Sequence, residues 1–196
     1  MLIPRVFHRV WIDGTIPTTF EEYWNSWQRW HPDWAFRTWS QDTLPSLVNQ
    51  DCFDSAKSPR KKADIARYEL LLRYGGVYLD TDFECLRSID AVINGIGCFA
   101  AFESPGMLNI AILGARPEHP LFARVVNAIP HSLARRPDAP ISDQTGPRFF
   151  TTIARSEPGV ALFDEALFYP YHWTELQRAN ESFPSAYAVH HWHGMH

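Results

Sequence analysis

The sequence predicts an α/β fold in which a mainly parallel sheet is flanked by helices. Apolar or alternating runs at 3–12, 34–39, 77–79, 97–103 and 107–114 are separated by stretches of helical spacing, most clearly in the first half. The apolar run Val77-Tyr78-Leu79 follows the clearest helix through Gly75-Gly76, and it delivers two carboxylates, Asp80 and Asp82. Ligands of such sheets gather beyond the carboxyl ends of strands, which is where these carboxylates fall. With 196 residues, 45% of them hydrophobic, the chain suits a single domain over 1–196 with a substantial core.

Each element has a local reason. Residues 3–12 carry alternating and β-branched apolar residues before Asp13-Gly14, which predicts a first strand and a turn. Thr18 or Thr19 can cap a helix over 20–30, with Glu21 and Glu22 in its first turn and His31-Pro32 ending it. Residues 34–39 alternate again as a second strand, and Ser40 or Asp42 can cap a short helix near 44–49. Ser58-Pro59 opens a helix with Ala63, Ile65, Ala66, Leu70, Leu71 and Tyr74 at helical spacing, closed by glycine. The runs 97–103 and 107–114 predict a hairpin around Ser104-Pro105-Gly106. Two further helices are expected at 119–133 and 146–155, followed by short apolar pieces at 160–163 and 186–189.

Composition narrows the function classes. A net charge of −4 gives no electrostatic reason to expect a nucleic-acid partner. Three scattered cysteines form neither a metal spacing nor a disulfide framework, which favours a reducing compartment. No secretory signal and no transmembrane run is visible, so the expected location is cytoplasmic, with peripheral attachment to the inner face of a membrane left open. Trp, Tyr and Phe number 8, 7 and 13, enough to stack on sugars or bases, although an aromatic core explains them equally well.

The chemistry concentrates at 80–82. In an extended chain, residues two apart point to the same side, so Asp80 and Asp82 can present two hard oxygen ligands together. Two such ligands suit Mg²⁺ or Mn²⁺ shared with a diphosphate. An Asp-x-Asp pair alone arises easily by chance, but this one ends an apolar strand, where paired carboxylates are costly without a cation or donors. Asp64 and Arg67 lie three apart on the preceding helix; by spacing alone they read as an exposed ion pair worth a few tenths of a kcal/mol.

The stretch Ala63-Asp64-Ile65-Ala66-Arg67-Tyr68, Leu71, Tyr74-Gly75-Gly76-Val77-Tyr78-Leu79-Asp80-Thr81-Asp82 resembles the signature of glycosyltransferase family 32. The opening Ile3 to Ile12, Asn109 with Gly114, His119-Pro120, Thr145-Gly146-Pro147 and His190-His191-Trp192 resemble other segments of that family. The resemblance implies a GT-A fold whose Asp-x-Asp motif holds a divalent metal on a nucleotide-diphosphate sugar. Carried over by position, Trp11 contacts the base, Tyr78 and Asn109 line the donor pocket, and Asp64 and Arg67 bind the donor sugar or its phosphates. Asp80 touches the ribose or sugar and reaches the metal through water, whereas Asp82 ligates it directly. His191 is the expected further ligand. In the closing triplet, Gly194-Met195-His196 replaces the family's Gly-Ser-Trp pattern.

The resulting expectation is a metal-dependent, retaining glycosyltransferase using Mn²⁺ or Mg²⁺. It would move a hexose from a UDP- or GDP-sugar to a glycan or lipid-linked acceptor, as in bacterial polysaccharide synthesis. Retention by two carboxylates needs a nucleophile beside the anomeric carbon, and Glu103 and Asp143 are the candidates. The competing readings are a sugar-nucleotide-binding module with weak turnover and a metal-dependent nucleotidyl- or phosphotransferase.

Overall fold

The computed structural model describes residues 2–193. In chain order its elements begin with β1 (Val6–Val10), α1 (Thr18–Trp30), β2 (Ala35–Trp39), α2 (Gln50–Ser55), α3 (Pro59–Tyr74), β3 (Gly76–Leu79), β4 (Phe83–Cys85) and α4 (Asp90–Ile93). They continue with β5 (Cys98–Ser104), β6 (Met107–Ala115), α5 (Pro120–Arg135), α6 (Ile141–Gln144), α7 (Pro147–Ala154), β7 (Ala161–Phe163) and α8 (Glu165–Phe168). A 3₁₀ turn at Trp173–Arg178 and β8 (Ala188–His190) are the last elements among the described residues.

The main sheet has the order β2-β1-β3-β6-β5-β7. The pairs β1–β2, β1–β3 and β5–β7 are parallel, while β6 runs antiparallel to both of its neighbours. Five strands therefore share one direction and β6 alone is reversed, as the tight turn of its hairpin with β5 requires. A second, two-stranded sheet pairs β4 with β8.

Both faces of the main sheet are covered. Tyr78, Ala100, Leu108 and Leu113 pack with Ile65, Leu70, Leu71, Phe122, Val125 and Phe150 of the helices α3, α5 and α7. Val77, Leu79, Phe99 and Ile112 pack on the other side with Phe7, Trp24, Trp27, Phe83, Tyr169 and Trp192. The alternation of Val77, Tyr78 and Leu79 between two cores is why β3 reads as unbroken hydrophobicity.

Three sequence expectations are corrected. Pro17, not Thr18 or Thr19, occupies the N-cap of α1, without a side-chain cap. The short helix expected near 44–49 forms instead at Gln50–Ser55, because the Glu69 carboxylate accepts from the Val48 and Asn49 amides (2.8 Å for Asn49) and fixes that stretch as a loop. Strand β4 was not expected at all, since the strand it pairs with among the described residues, β8, lies about a hundred residues away.

The turn from α3 into β3 is clamped by His8. Trp39 Nε1 can only donate, and it donates to His8 Nδ1 at 3.0 Å, so Nε2 carries the proton and donates to the Gly75 carbonyl at 3.0 Å. Gly76 is required there: its φ is +90°, and a Cβ would lie 2.5 Å from Val6 O and 3.1 Å from His8 Nε2. The fully buried ring resists protonation. Burial is the main cause, and together with the Arg37 charge it outweighs the Gly75 bond and lowers the His8 pKa to about 4.

Between pH 6.5 and 4 the unfolded chain takes up a proton at His8 that the folded chain refuses, so His8 makes stability fall as pH drops through that window. The full effect is on the order of 3 kcal/mol. Urea denaturation at pH 6.5 and pH 4.5 is expected to show a smaller loss on acidification in His8→Gln than in the natural chain.

Candidate active site

Strands β1 and β3 are parallel neighbours with His8 opposite Tyr78, so Trp11 emerges level with the turn that carries Asp80 and Asp82. Trp11 is half-buried, donates Nε1–H to Gly14 O at 3.2 Å and meets Phe20 edge to face at 5.7 Å. Asp80 and Asp82 do not lie in an extended strand as expected. Leu79 ends β3, and residues 80–82 form a turn into β4. The turn, rather than the strand pleat, brings the two carboxylates to one side. Ligand atoms of Asp80, Asp82 and His190 all lie within 4.8 Å of one another.

Asp80 rests on a buried cationic platform. Arg67 Nη1 contacts Asp80 Oδ1 at 3.0 Å and donates to Ile110 O at 2.8 Å, while its Nη2 contacts Asp64 Oδ1 at 3.0 Å. Its guanidinium also lies 4.5 Å above the Tyr78 ring, and Tyr78 OH donates to Asp80 Oδ1 at 2.9 Å. The Asp64–Arg67 pair is therefore not an exposed helix pair: the two side chains are 2% and 3% exposed. Nor do they stand open to a donor. They anchor Asp80, whose 28% exposed side chain is the member of the group that meets solvent.

The charges are held by one another. Burial opposes the Arg67 charge, but Asp80, then Tyr78 and Asp64, raise its pKa above the usual value. Burial pushes Asp64 up to about 6 in spite of Arg67. Thr145 completes the arrangement, donating its hydroxyl to Asp64 Oδ2 at 3.0 Å while its carbonyl accepts from Tyr68 OH at 2.7 Å. The Thr145-Gly146-Pro147 motif was legible in the sequence, but its contact with Asp64, across 81 residues, was not.

The Asp82 carboxylate meets the His190 ring, not that of His191. His190 Nε2 faces Asp82 Oδ1 at 3.1 Å, and the His193 amide donates to Asp82 Oδ2 at 2.8 Å. Burial pushes Asp82 up, but His190 and these hydrogen bonds outweigh it and lower its pKa; burial works against a charged His190, and Asp82 outweighs that in turn. The expected ligand His191 turns away. Its Nε2 pairs with Glu84 Oε2 at 2.9 Å and its ring stacks on Tyr23 at 4.4 Å. Successive side chains of an extended chain point to opposite sides, which sends the His190 ring to Asp82 and the His191 ring to Glu84. The triplet Gly194-Met195-His196 lies outside the described residues.

Asn109 is buried on β6; its Nδ2 donates to Glu103 and its Oδ1 accepts from the Ala111 amide at 2.8 Å. Burial raises the Glu103 pKa. Asp143, on α6, pairs with Arg148 at 3.4 Å.

The main sheet, with an Asp-x-Asp turn at the carboxyl end of β3, has the GT-A fold. The structure is similar to that of the PaToxG glycosyltransferase, with a TM-score of 0.67 at 14% identity, over 80% of this chain and 70% of that one. Residues 17–98 match the family described as the glycosyltransferase sugar-binding region containing the DXD motif. That match agrees with the resemblance to glycosyltransferase family 32. It is 28% identical over 160 residues to mannosyl phosphorylinositol ceramide synthase CSH1 of Saccharomyces cerevisiae, covering 78% of this chain and 42% of the relative. It is 31% identical over 134 residues to inositol phosphoceramide mannosyltransferase 1 of Schizosaccharomyces pombe, covering 64% of this chain and 42% of the relative. The chain thus spans less than half the length of these curated relatives.

The raised Asp64 pKa acts on stability with a sign opposite to that of His8. Between about pH 4 and 6 the folded chain holds a proton at Asp64 that the unfolded chain releases, so this group lowers stability as pH rises through the window. Asp64→Asn removes that opposing term. Denaturation curves across the window are expected to show a steeper rise of stability with pH in this variant than in the natural chain.

Proposed function

We propose that this chain is a metal-dependent, retaining glycosyltransferase that moves a hexose from a nucleotide-diphosphate sugar to a hydroxyl acceptor. The observation that carries the reading is the convergence of Asp80, Asp82 and His190 within 4.8 Å beyond the carboxyl end of β3. Two carboxylates and an imidazole suit Mn²⁺ or Mg²⁺, and an ion could replace the proton that Asp82 and His190 share. The buried His190 Nδ1 has no protein partner among the described residues, so the ring's hydrogen bonding is directed through Nε2. When bound, the divalent ion would supply Lewis-acid stabilisation of the departing diphosphate.

The chain's own residues orient that group. Arg67 and Tyr78 hold the Asp80 carboxylate in place through Oδ1, so its exposed side can meet the donor ribose or sugar. Asp82 and His190 hold each other in place, so an ion that displaces their shared proton would find both groups already positioned. By the family resemblance, Trp11, half-buried and level with this turn, would contact the base, and Asn109 would border the donor pocket. Retention follows from the family resemblance.

The names of the two yeast relatives favour mannose as the hexose and a lipid-linked polyol as the acceptor, ahead of a growing polysaccharide. Such an acceptor would bring the protein to a membrane surface. Among the described residues, no helix is long and apolar enough to cross one.

A thermal-shift screen of UDP- and GDP-sugars, with and without Mn²⁺, tests the donor: the right one raises the melting temperature only with the metal. Asp82→Asn is expected to abolish Mn²⁺-dependent donor hydrolysis while the fold is retained. His190→Gln should weaken Mn²⁺ binding at least about tenfold, the scale on which a lost metal contact is felt, and His191→Gln should leave it unchanged. Full hydrolysis by Asp82→Asn would sink the metal assignment.

A further inference from the structure

Strand β6 is not evenly paired with β5. Ala100 lies opposite Leu113, but the next residue, Ala101, lies opposite Asn109, so Ile110, Ala111 and Ile112 bulge out of that ladder. The bulge serves the acidic turn on its other side. Ile110 O accepts from Arg67 Nη1 at 2.8 Å, and Ala111 O accepts from the Asp80 amide at 2.8 Å. Asn109 closes the bulge internally, its Oδ1 accepting from the Ala111 amide at 2.8 Å.

A second irregularity lies nearer the hairpin tip. Phe102 pairs with Leu108 and Ser104 with Met107, which leaves Glu103 as the extra residue of β5. Such a bulge re-aims the side chain it carries. Here it brings the Glu103 carboxylate onto Asn109 Nδ2. An ionised carboxylate only accepts, so it attracts the amide nitrogen and leaves Oδ1 for Ala111.

We propose that Glu103 is a positioning residue: its carboxylate sets the orientation of the Asn109 amide, and Asn109 thereby fixes the β6 bulge that holds Asp80 and Arg67. The role differs from that of the nucleophile for which Glu103 was a sequence candidate. Its carboxylate acts on the amide of Asn109 and reaches the chemistry through it. The consequence for turnover rests on the glycosyltransferase reading, whereas the consequence for the bulge does not.

Two measurements test the proposal. In hydrogen exchange, Glu103→Ala should expose the Ala111 and Asp80 amides at least about tenfold faster, while Glu103→Gln, which keeps an acceptor oxygen, stays within about threefold of the natural chain. In donor hydrolysis with Mn²⁺, Glu103→Ala should lower kcat at least about tenfold with donor KM moving less than about threefold, because misplacement of reacting groups costs rate more than binding. Glu103→Gln should retain turnover within about threefold, and Glu103→Ala combined with Asn109→Ala should be no slower than Asn109→Ala alone. Unchanged exchange in Glu103→Ala would overturn the proposal even if no donor is ever found. So would a Glu103→Gln variant as slow as Glu103→Ala, which would mark the carboxylate as a reacting group, or losses that multiply in the double variant. Absence of turnover in the natural chain, with exchange behaving as expected, would overturn the glycosyltransferase reading and leave the positioning role standing.

Discussion

The buried guanidinium of Arg67 is the contact on which the site depends. It lies at the meeting point of α3, β3 and β6, touching Asp64, Asp80, the Ile110 carbonyl and the face of Tyr78. A planar fork can serve these partners at once, and a lysine ammonium cannot. An ion pair so deep is weak evidence for stability, because desolvation offsets most of the Coulomb gain. What it provides here is orientation. It ties a helix residue, a turn residue and a strand bulge into one rigid group, and it leaves Asp80 as the member that meets solvent.

The second constraint is the small sheet of β4 and β8. Strand β4 leaves the acidic turn, and β8 returns beside it with Phe83 opposite His190. The His190 ring then stacks on Phe83 at 5.2 Å and meets Trp192 edge-on at 4.3 Å, which locks the imidazole beside Asp82. The Asp80 side of the site is therefore built on the contiguous α3–β3 unit and braced by β6 and Thr145, and the Asp82 side from residues more than a hundred positions apart. Opposed shifts accompany the two sides. Burial without full compensation raises Asp64, whereas His190 outweighs burial at Asp82.

His8 links this arrangement to the fold as a whole. Its two hydrogen bonds join β1, β2 and the glycine turn, so the entry of β3 is fixed before the strand reaches Asp80. Its partners, from β2 and the glycine turn, give it this part.

Local sequence by itself determined the α3–Gly75-Gly76–β3 unit, the β5–β6 hairpin, α5 and α7, because capping, helical spacing and glycine turns act over a few residues. It also determined the acidic pair, since an Asp-x-Asp at the end of an apolar strand calls for a cation or donors wherever it occurs. Tertiary structure decided what contacts across long separations must decide. It placed α2 after, not within, 44–49 through Glu69, and created β4 by pairing it with β8. It buried Asp64 and Arg67 where spacing suggested solvent, and chose His190 over His191 through the face on which β8 lies. Burial and strand pairing depend on what arrives from elsewhere in the chain, and no local pattern contains that information.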